Sequence, residues 1–154
     1  MLMQPFAPEP VGLLIAAARR RMKQAVGARA RPYGLNAPQF WVLVGVAERR
    51  GTALGELADR LRLDAPTASR LVAGLTRKGL VRSGNDPADR RRRRIELTAK
   101  GTALAERMLP IARAARAAAI SGVAVAEQDT LRRLLVRVIE NLENFQGNAV
   151  RGAA

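Results

Sequence analysis

The stretch that decides the fold runs from residue 64 to residue 98 and reads DAPTASRLVAGLTRKGLV (64–81) followed by RSGNDPADRRRRRIELT (82–98). Its first part has apolar residues at helical spacing, with Asp64 as a predicted N-cap, Pro66 in the first turn and Gly79 as the stop. Strand-like alternation at 80–82 and 94–97 flanks an arginine-rich turn, which predicts a β-hairpin. A helix of groove-entering size followed by a basic ribbon is typical of proteins that hold duplex DNA.

Composition narrows the partner and excludes several chemistries. The 154-residue chain carries a formal net charge of +14. A positive charge of this size indicates a polyanionic partner, with nucleic acid as the first candidate and an anionic membrane surface as the second. The chain has no cysteine and no histidine, which excludes disulfides, thiol redox sensing, Cys/His metal sites and histidine acid–base catalysis. We expect no metal or cofactor, and we find no phosphate loop or paired carboxylates that would indicate an enzyme.

The remaining composition favours a folded cytoplasmic protein. Hydrophobic residues make up 48% of the chain, which is enough for a core. No uncharged stretch is long enough to span a membrane, and no signal-peptide pattern is present at the start. We therefore expect a cytoplasmic location and no membrane partner.

Helical segments surround the central stretch. Residues 1–10 contain three prolines and predict an irregular arm, and residues 11–29 have an apolar helical face. In the next segment Asn36 and Gln39 form a predicted capping box, Gly51 is a stop, and Phe40, Leu43, Val44 and Ala47 make the buried stripe. Residues 53–63 predict a short helix that Thr52 could cap, which completes a helix-turn-helix pattern with the helix after it.

Two more helices follow the hairpin. Thr98 is a predicted N-cap for a helix over 99–119, which Pro110 should kink or split. A helix over 127–145 has a wide apolar stripe and lacks a Ser/Thr cap, which predicts a loose start. Its mixed charges favour a partner helix over an anionic lipid surface. We expect 147–154 to be a flexible tail.

A basic cluster in the first helix has two open interpretations. Six basic residues and no acidic one lie between Arg19 and Arg31. The cluster is either a solvated helix face or a flank that faces DNA phosphates.

Four segments resemble the MarR family of winged-helix transcriptional regulators over about residues 10–146. They are LNAPQFWVL (35–43), ELADRL (56–61), the run from 63 to 81, and DPADRRRRRIELTAKG (86–101). The family's wing pattern, Asp-Xaa-Arg ahead of an apolar-Xaa-Leu-Thr end, is met by Asp89, Arg91, Ile95, Leu97 and Thr98.

The resemblance implies a mostly α fold with a small β-hairpin wing. The winged helix-turn-helix DNA-binding domain would span 35–98, flanked by helical dimerisation regions at 11–31 and 99–146. It also implies a homodimer, most simply a repressor, that places two recognition helices in successive major grooves of a near-palindromic operator, roughly 34–36 Å apart. A sequence-neutral nucleoid-type nucleic-acid binder is the competing interpretation, because the arginine run would serve either function.

The resemblance also assigns candidate contacts to DNA. In the recognition helix, Pro66, Thr67, Ser69 and Arg70 would contact bases and backbone. In the wing, Arg91 would enter the minor groove with Asp89 holding it by a salt bridge. The candidate phosphate contacts are Arg77, Lys78, Arg90, Arg92 and Arg93. The alternative interpretations are a solvated surface residue for Arg70 and a turn residue only for Asp89.

Regulation is expected to be non-covalent. Many relatives bind small phenolic or carboxylate compounds, and the candidate pocket residues here are Phe40, Trp41, Arg19 and Arg20. Core packing is the alternative role for the two aromatic residues. A bound effector would change the separation of the two DNA-binding lobes and release the operator.

Overall fold

The computed structural model describes the backbone of residues 9–151 and the side chains of residues 9–146. Along the chain lie α1 (Val11–Ala30), a 3-10 turn (Arg31–Tyr33), α2 (Ala37–Glu48), β1 (Thr52–Ala53), α3 (Leu54–Leu61), α4 (Ala65–Arg77), β2 (Val81–Asn85), β3 (Arg93–Leu97), α5 (Ala99–Ala119) and α6 (Val125–Arg151). This confirms the predicted fold class. Most of the arm predicted for 1–10, and the last three residues of the predicted tail, lie outside the described residues.

The chain divides into two compact units, 1–116 and 117–154. In the first unit, α2 is the central helix. Every residue from Val42 to Val46 is buried, whereas a single stripe was predicted. The prediction was too narrow because α2 packs against α1, α3, α4 and β3 at once. Gly45 allows the approach of α3, since a Cβ there would lie 3.0 Å from Leu57 Cδ1.

The start of α2 is the predicted capping box. Asn36 Oδ1 accepts a hydrogen bond from the Gln39 backbone N–H at 2.8 Å, and Gln39 Oε1 accepts one from the Asn36 N–H at 3.2 Å. Two backbone N–H groups at the start of the helix, which have no acceptor within the helix, thereby gain hydrogen-bond partners. Gly34, with φ 72°, makes the turn that precedes it.

The predicted cap of α3 is wrong. Thr52 lies in β1, where it pairs with Ile95, and Ala53 occupies the N-cap position without a side-chain hydrogen bond. The sheet therefore has three antiparallel strands in the order β1-β3-β2. A two-residue strand has no alternation pattern of its own, so the sequence carries no signal for it.

Hydrogen bonds of Thr98 fix the first turn of α5 and connect it to Leu80, the residue before β2. Thr98 Oγ1 accepts a hydrogen bond from the Gly101 N–H at 3.0 Å, which confirms Thr98 as the cap. The Thr98 backbone N–H donates to the Leu80 carbonyl at 3.1 Å. Pro110 does not split the helix, which continues from Ala99 to Ala119.

The second unit contains α6, which differs from the prediction at both ends. It begins at Val125 rather than at residue 127. No Ser/Thr cap is present there, but Glu127 Oε2 accepts a hydrogen bond from the Ala124 N–H at 2.8 Å, so a carboxylate satisfies a backbone donor at this end of the helix. It continues to Arg151, so most of the tail predicted for 147–154 is helical in backbone. Across residues 9–151, no helix is long and apolar enough to cross a membrane.

Candidate nucleic-acid interface

A short hydrogen-bond network organises the N-terminal end of α4. Asp64 Oδ1 accepts a hydrogen bond from the Thr67 backbone N–H at 2.8 Å, and Asp64 Oδ2 accepts one from the Thr67 hydroxyl at 2.8 Å. Arg70 Nη2 donates to Thr67 Oγ1 at 3.2 Å. The Thr67 backbone N–H, followed by its hydroxyl, lowers the pKa of Asp64, because both bonds favour the charged carboxylate. Asp64 is confirmed as the cap.

The predicted recognition residues lie together on the outer side of α4. Pro66, Ser69 and Arg70 are exposed and Thr67 is half-buried, whereas the buried residues Ala68, Val72 and Leu75 hold the opposite face against the core. Arg77 and Lys78 lie exposed at the other end of the helix. The N-terminal half of α4 thus presents hydroxyl and guanidinium donors of the kind that read base edges.

The wing is anchored by the carboxylate of Asp86, for which no contact was predicted. Asp86 is 5% exposed and accepts hydrogen bonds from the Ala88 N–H at 2.8 Å and from Arg94 Nε at 2.9 Å. The Ala88 N–H, and then Arg94, lower the pKa of Asp86, while Asp86 raises the pKa of Arg94. The sequence feature that could have indicated this role is an acidic residue shortly before the arginine run.

The predicted Asp89–Arg91 salt bridge is wrong. Asp89 Oδ1 accepts a hydrogen bond from the Arg91 backbone N–H at 3.0 Å, a side-chain-to-backbone turn. Among the described side chains, no ion pair joins the two residues. Asp89 therefore shapes the turn, and the Arg91 guanidinium stays exposed.

The arginines of the wing divide into two groups. Arg92 pairs with Glu56 of α3 at 2.7 Å, and Arg94 pairs with Asp86 at 2.9 Å. Within the described side chains, Arg90, Arg91 and Arg93 are exposed and form no ion pair. The role of Glu56 was not predicted, because it lies 36 residues from its partner along the chain. The guanidinium groups of Arg90, Arg91 and Arg93 are therefore exposed to solvent.

The four predicted pocket residues separate in the structure. Phe40 is fully buried in the core, and its ring lies 5.0 Å from that of Trp41 in an edge-to-face arrangement. Trp41 is half-buried, and the Arg116 guanidinium lies 5.2 Å from its ring centroid. Arg116 was not predicted. Its ion pair with Glu48 holds it there and raises its pKa.

Trp41 and Arg19 line one open groove of about 550 Å³, whereas Arg20 lines another. The remaining residues around the Trp41 groove are Met22, Lys23, Ala37, Pro38, Val42, Arg60, Leu61, Arg62, Leu63, Leu71 and Arg116. Aromatic and aliphatic surface beside several cations suits a flat, anionic small molecule. Leu63 and Leu71 connect this groove to the helix-turn-helix.

The chain is similar to named regulators over most of its length. The model of the MarR family matches residues 33–92. The HTH-type transcriptional repressor NicR of Pseudomonas putida is 29% identical over 136 residues, which cover 88% of this chain and 86% of NicR.

Solved structures agree with that match. A probable transcriptional regulator from Pseudomonas aeruginosa is 31% identical with a TM-score of 0.65, over 84% of this chain and 97% of that one. A putative MarR family regulator from Listeria monocytogenes, complexed with a 26mer DNA, is 25% identical with a TM-score of 0.73, over 88% and 91%. Bordetella bronchiseptica BpsR, whose DNA binding is regulated by 6-hydroxynicotinic acid, is 28% identical with a TM-score of 0.70, over 88% and 97%.

These likenesses extend well beyond the helix-turn-helix, since they cover the helices on both sides of it. The match to DNA-binding regulators is consistent with the exposed end of α4, the basic wing and the three-stranded sheet described above. The chain belongs to the MarR family of DNA-binding transcriptional regulators, and it is not an enzyme.

Proposed function

We propose that the protein represses transcription as a homodimer on a near-palindromic duplex operator, and that a small aromatic acid releases it. The observation that carries this proposal is the Asp64–Thr67–Arg70 network at the exposed end of α4. A sequence-neutral binder needs only positive charge, whereas a reader of bases needs donors held in one geometry. Pro66 and Ser69 lie on the same turn and would contact bases and backbone.

In this proposal the wing serves the minor groove and the phosphates. Arg91 is the minor-groove residue, because Asp89 holds its backbone while its guanidinium stays exposed. Arginine suits this position because a narrow minor groove concentrates negative potential. The phosphate contacts are Arg77, Lys78, Arg90 and Arg93, and also Arg92 when it exchanges Glu56 for a phosphate.

Exposed apolar side chains support a homodimer. On α6, Leu131, Leu134, Leu142 and Phe145 are 47%, 51%, 58% and 74% exposed. On α1, in the other unit, Val11, Leu13 and Leu14 are 62%, 58% and 50% exposed. On each helix, exposed apolar side chains of this kind support an interface with another protein chain. A second copy of the same chain would cover both helices and place two α4 helices on one duplex.

The Trp41 groove supports the proposed effector site. A flat carboxylate would stack on the Trp41 ring and pair with Arg19, whereas Phe40 supports the ring from the core. Arg20 lies in a different groove and is left out of this site. Because Leu63 and Leu71 flank the start and middle of α4, a ligand that fits only one arrangement of these side chains would shift the position of α4. The compound that regulates DNA binding by BpsR, 6-hydroxynicotinic acid, is a flat aromatic acid of this class.

The test is competition binding after operator selection from the protein's own genome. At fixed salt, we expect the selected operator to be preferred over random duplex by at least about a thousandfold. Light scattering should give twice the 16.6 kDa chain mass. Equal affinity for both duplexes would instead identify a sequence-neutral nucleoid-type protein, which the charge of +14 would also suit.

A further inference from the structure

A second groove is lined by cations that neither the helix-turn-helix nor the wing uses. Arg20, Lys23 and Arg31 surround an open groove of about 630 Å³ between the second half of α1 and the start of α2. The other lining residues are uncharged, namely Gln24, Gly27, Ala28, Leu35, Asn36 and Ala37. The groove therefore presents three positive charges and no negative one.

These charges are not neutralised within the described part of the chain. Helix α1 contains no Asp or Glu, and none of the ion pairs formed by residues 9–146 involves Arg20, Lys23 or Arg31. All three side chains are exposed. A cluster of like charges opposes folding by self-repulsion, and an external polyanion relieves that repulsion.

The cluster continues into the recognition helix. Gly34 follows the turn that Arg31 begins, and a Cβ at Gly34 would lie 4.0 Å from Lys78 Nζ. The Lys78 carbonyl in turn accepts a hydrogen bond from Lys100 Nζ at 3.0 Å. We call these five residues the basic strip: Arg20, Lys23, Arg31, Lys78 and Lys100. The strip connects α1, the end of α4 and the first turn of α5.

We propose that the basic strip binds the phosphate backbone of duplex DNA beside the groove that α4 enters, and so lengthens the footprint of each protomer. The inference rests on the proposed function, since it requires DNA on α4. A small anion is normally held by converging, partly buried groups. Here the cations are exposed and spaced along three elements, which suits a repeating polyanion. Of the two interpretations of the α1 cluster, the strip therefore favours the flank that faces DNA phosphates.

The test compares the full-length protein with a triple variant, Arg20→Gln, Lys23→Gln and Arg31→Gln. The probe is the selected operator with about one helical turn of flanking duplex on each side. Two triple variants serve as controls. One keeps the charge (Arg20→Lys, Lys23→Arg, Arg31→Lys), and the other removes the same charge from exposed sites elsewhere (Arg49→Gln, Arg107→Gln, Arg113→Gln).

We expect the slope of log K against log salt to become less steep by about 2–3 in the strip variant, because each lost phosphate contact removes about 0.9. The preference for operator over random duplex should stay unchanged, since phosphate contacts carry no sequence information. The charge-keeping control should bind as the wild type does, and the distant control should change the slope by less than about 1.

Three results would overturn the proposal. They are an unchanged slope in the strip variant, an equal change in the distant control, or a thermal shift with inorganic phosphate that the strip variant loses while its DNA binding is intact. The last result would identify a small-anion site. Failure of the wild type to prefer any operator would count against the proposed function instead, and the slope comparison on random duplex would still decide the strip.

Discussion

Replacing Gly101 with alanine should destabilise the protein, although alanine is the better helix former. Gly101 lies in the first turn of α5, where a Cβ would overlap the Leu80 carbonyl oxygen and stand 2.8 Å from the carbonyl carbon. Real Cβ atoms essentially never approach another atom within 3.0 Å. The obstacle is backbone, so α5 and Leu80, the residue before β2, must move apart to admit the methyl group.

The magnitude follows from three contributions. Alanine in place of glycine gains at most about 1 kcal/mol in a helix. Overpacking against a rigid neighbour costs about 1–3 kcal/mol and occasionally more. Moving the Leu80 carbonyl also strains the hydrogen bond that it accepts from the Thr98 N–H, which is worth about 1 kcal/mol. We expect a net loss of about 2 kcal/mol, or roughly 4–8 °C in Tm for a chain of this length.

Urea unfolding followed by circular dichroism, at one fixed protomer concentration, measures this loss. The matched control is Gly27→Ala in α1, where the new Cβ would meet only Ala37 Cβ at 3.9 Å, an ordinary contact. That variant should be as stable as the wild type or gain up to about 1 kcal/mol. If Gly101→Ala is as stable as the wild type, or if both variants lose equal stability, the close approach of α5 to Leu80 is refuted.

Three further predictions concern the recognition helix and the wing. Arg70→Ala should cost about 1–3 kcal/mol of discrimination at one base position, and a site-selection assay that returns the wild-type preference would contradict the base contact. Arg91→Ala should reduce the salt slope by about 1, whereas Arg92→Ala should change it less, because Glu56 already neutralises Arg92; equal effects would remove the distinction between them. Because folding lowers the pKa of Asp86, its ionisation stabilises the fold fully above its ordinary pKa of 3.8, and that stabilisation is lost as the pH falls through the lower folded value. The stability of Asp86→Asn should therefore depend less steeply on pH below about 4 than that of the wild type, as Tm measurements in an acid series can show.

Local features of the fold were predictable because their signals are local. The Asn36 capping box, the Asp64 and Thr98 caps, and the order of helices and hairpin each depend on residues within a few positions of one another. The exposed end of α4 was predictable for the same reason, since helical periodicity alone puts Arg70 on the face opposite Val72.

Which arginine side chains remain free to contact DNA depends on the folded structure. The sequence predicts an arginine-rich hairpin after a helix-turn-helix, but it does not show which of the five consecutive arginines form ion pairs. Only the fold brings Glu56 to Arg92 across 36 residues and turns Arg94 toward Asp86, and it replaces the expected Asp89 salt bridge by a bond to backbone. It also brings Lys78 beside Gly34, which joins the basic cluster of α1 to the recognition helix. Ion pairing depends on distances between side chains, and distances between remote residues exist only after the chain has folded.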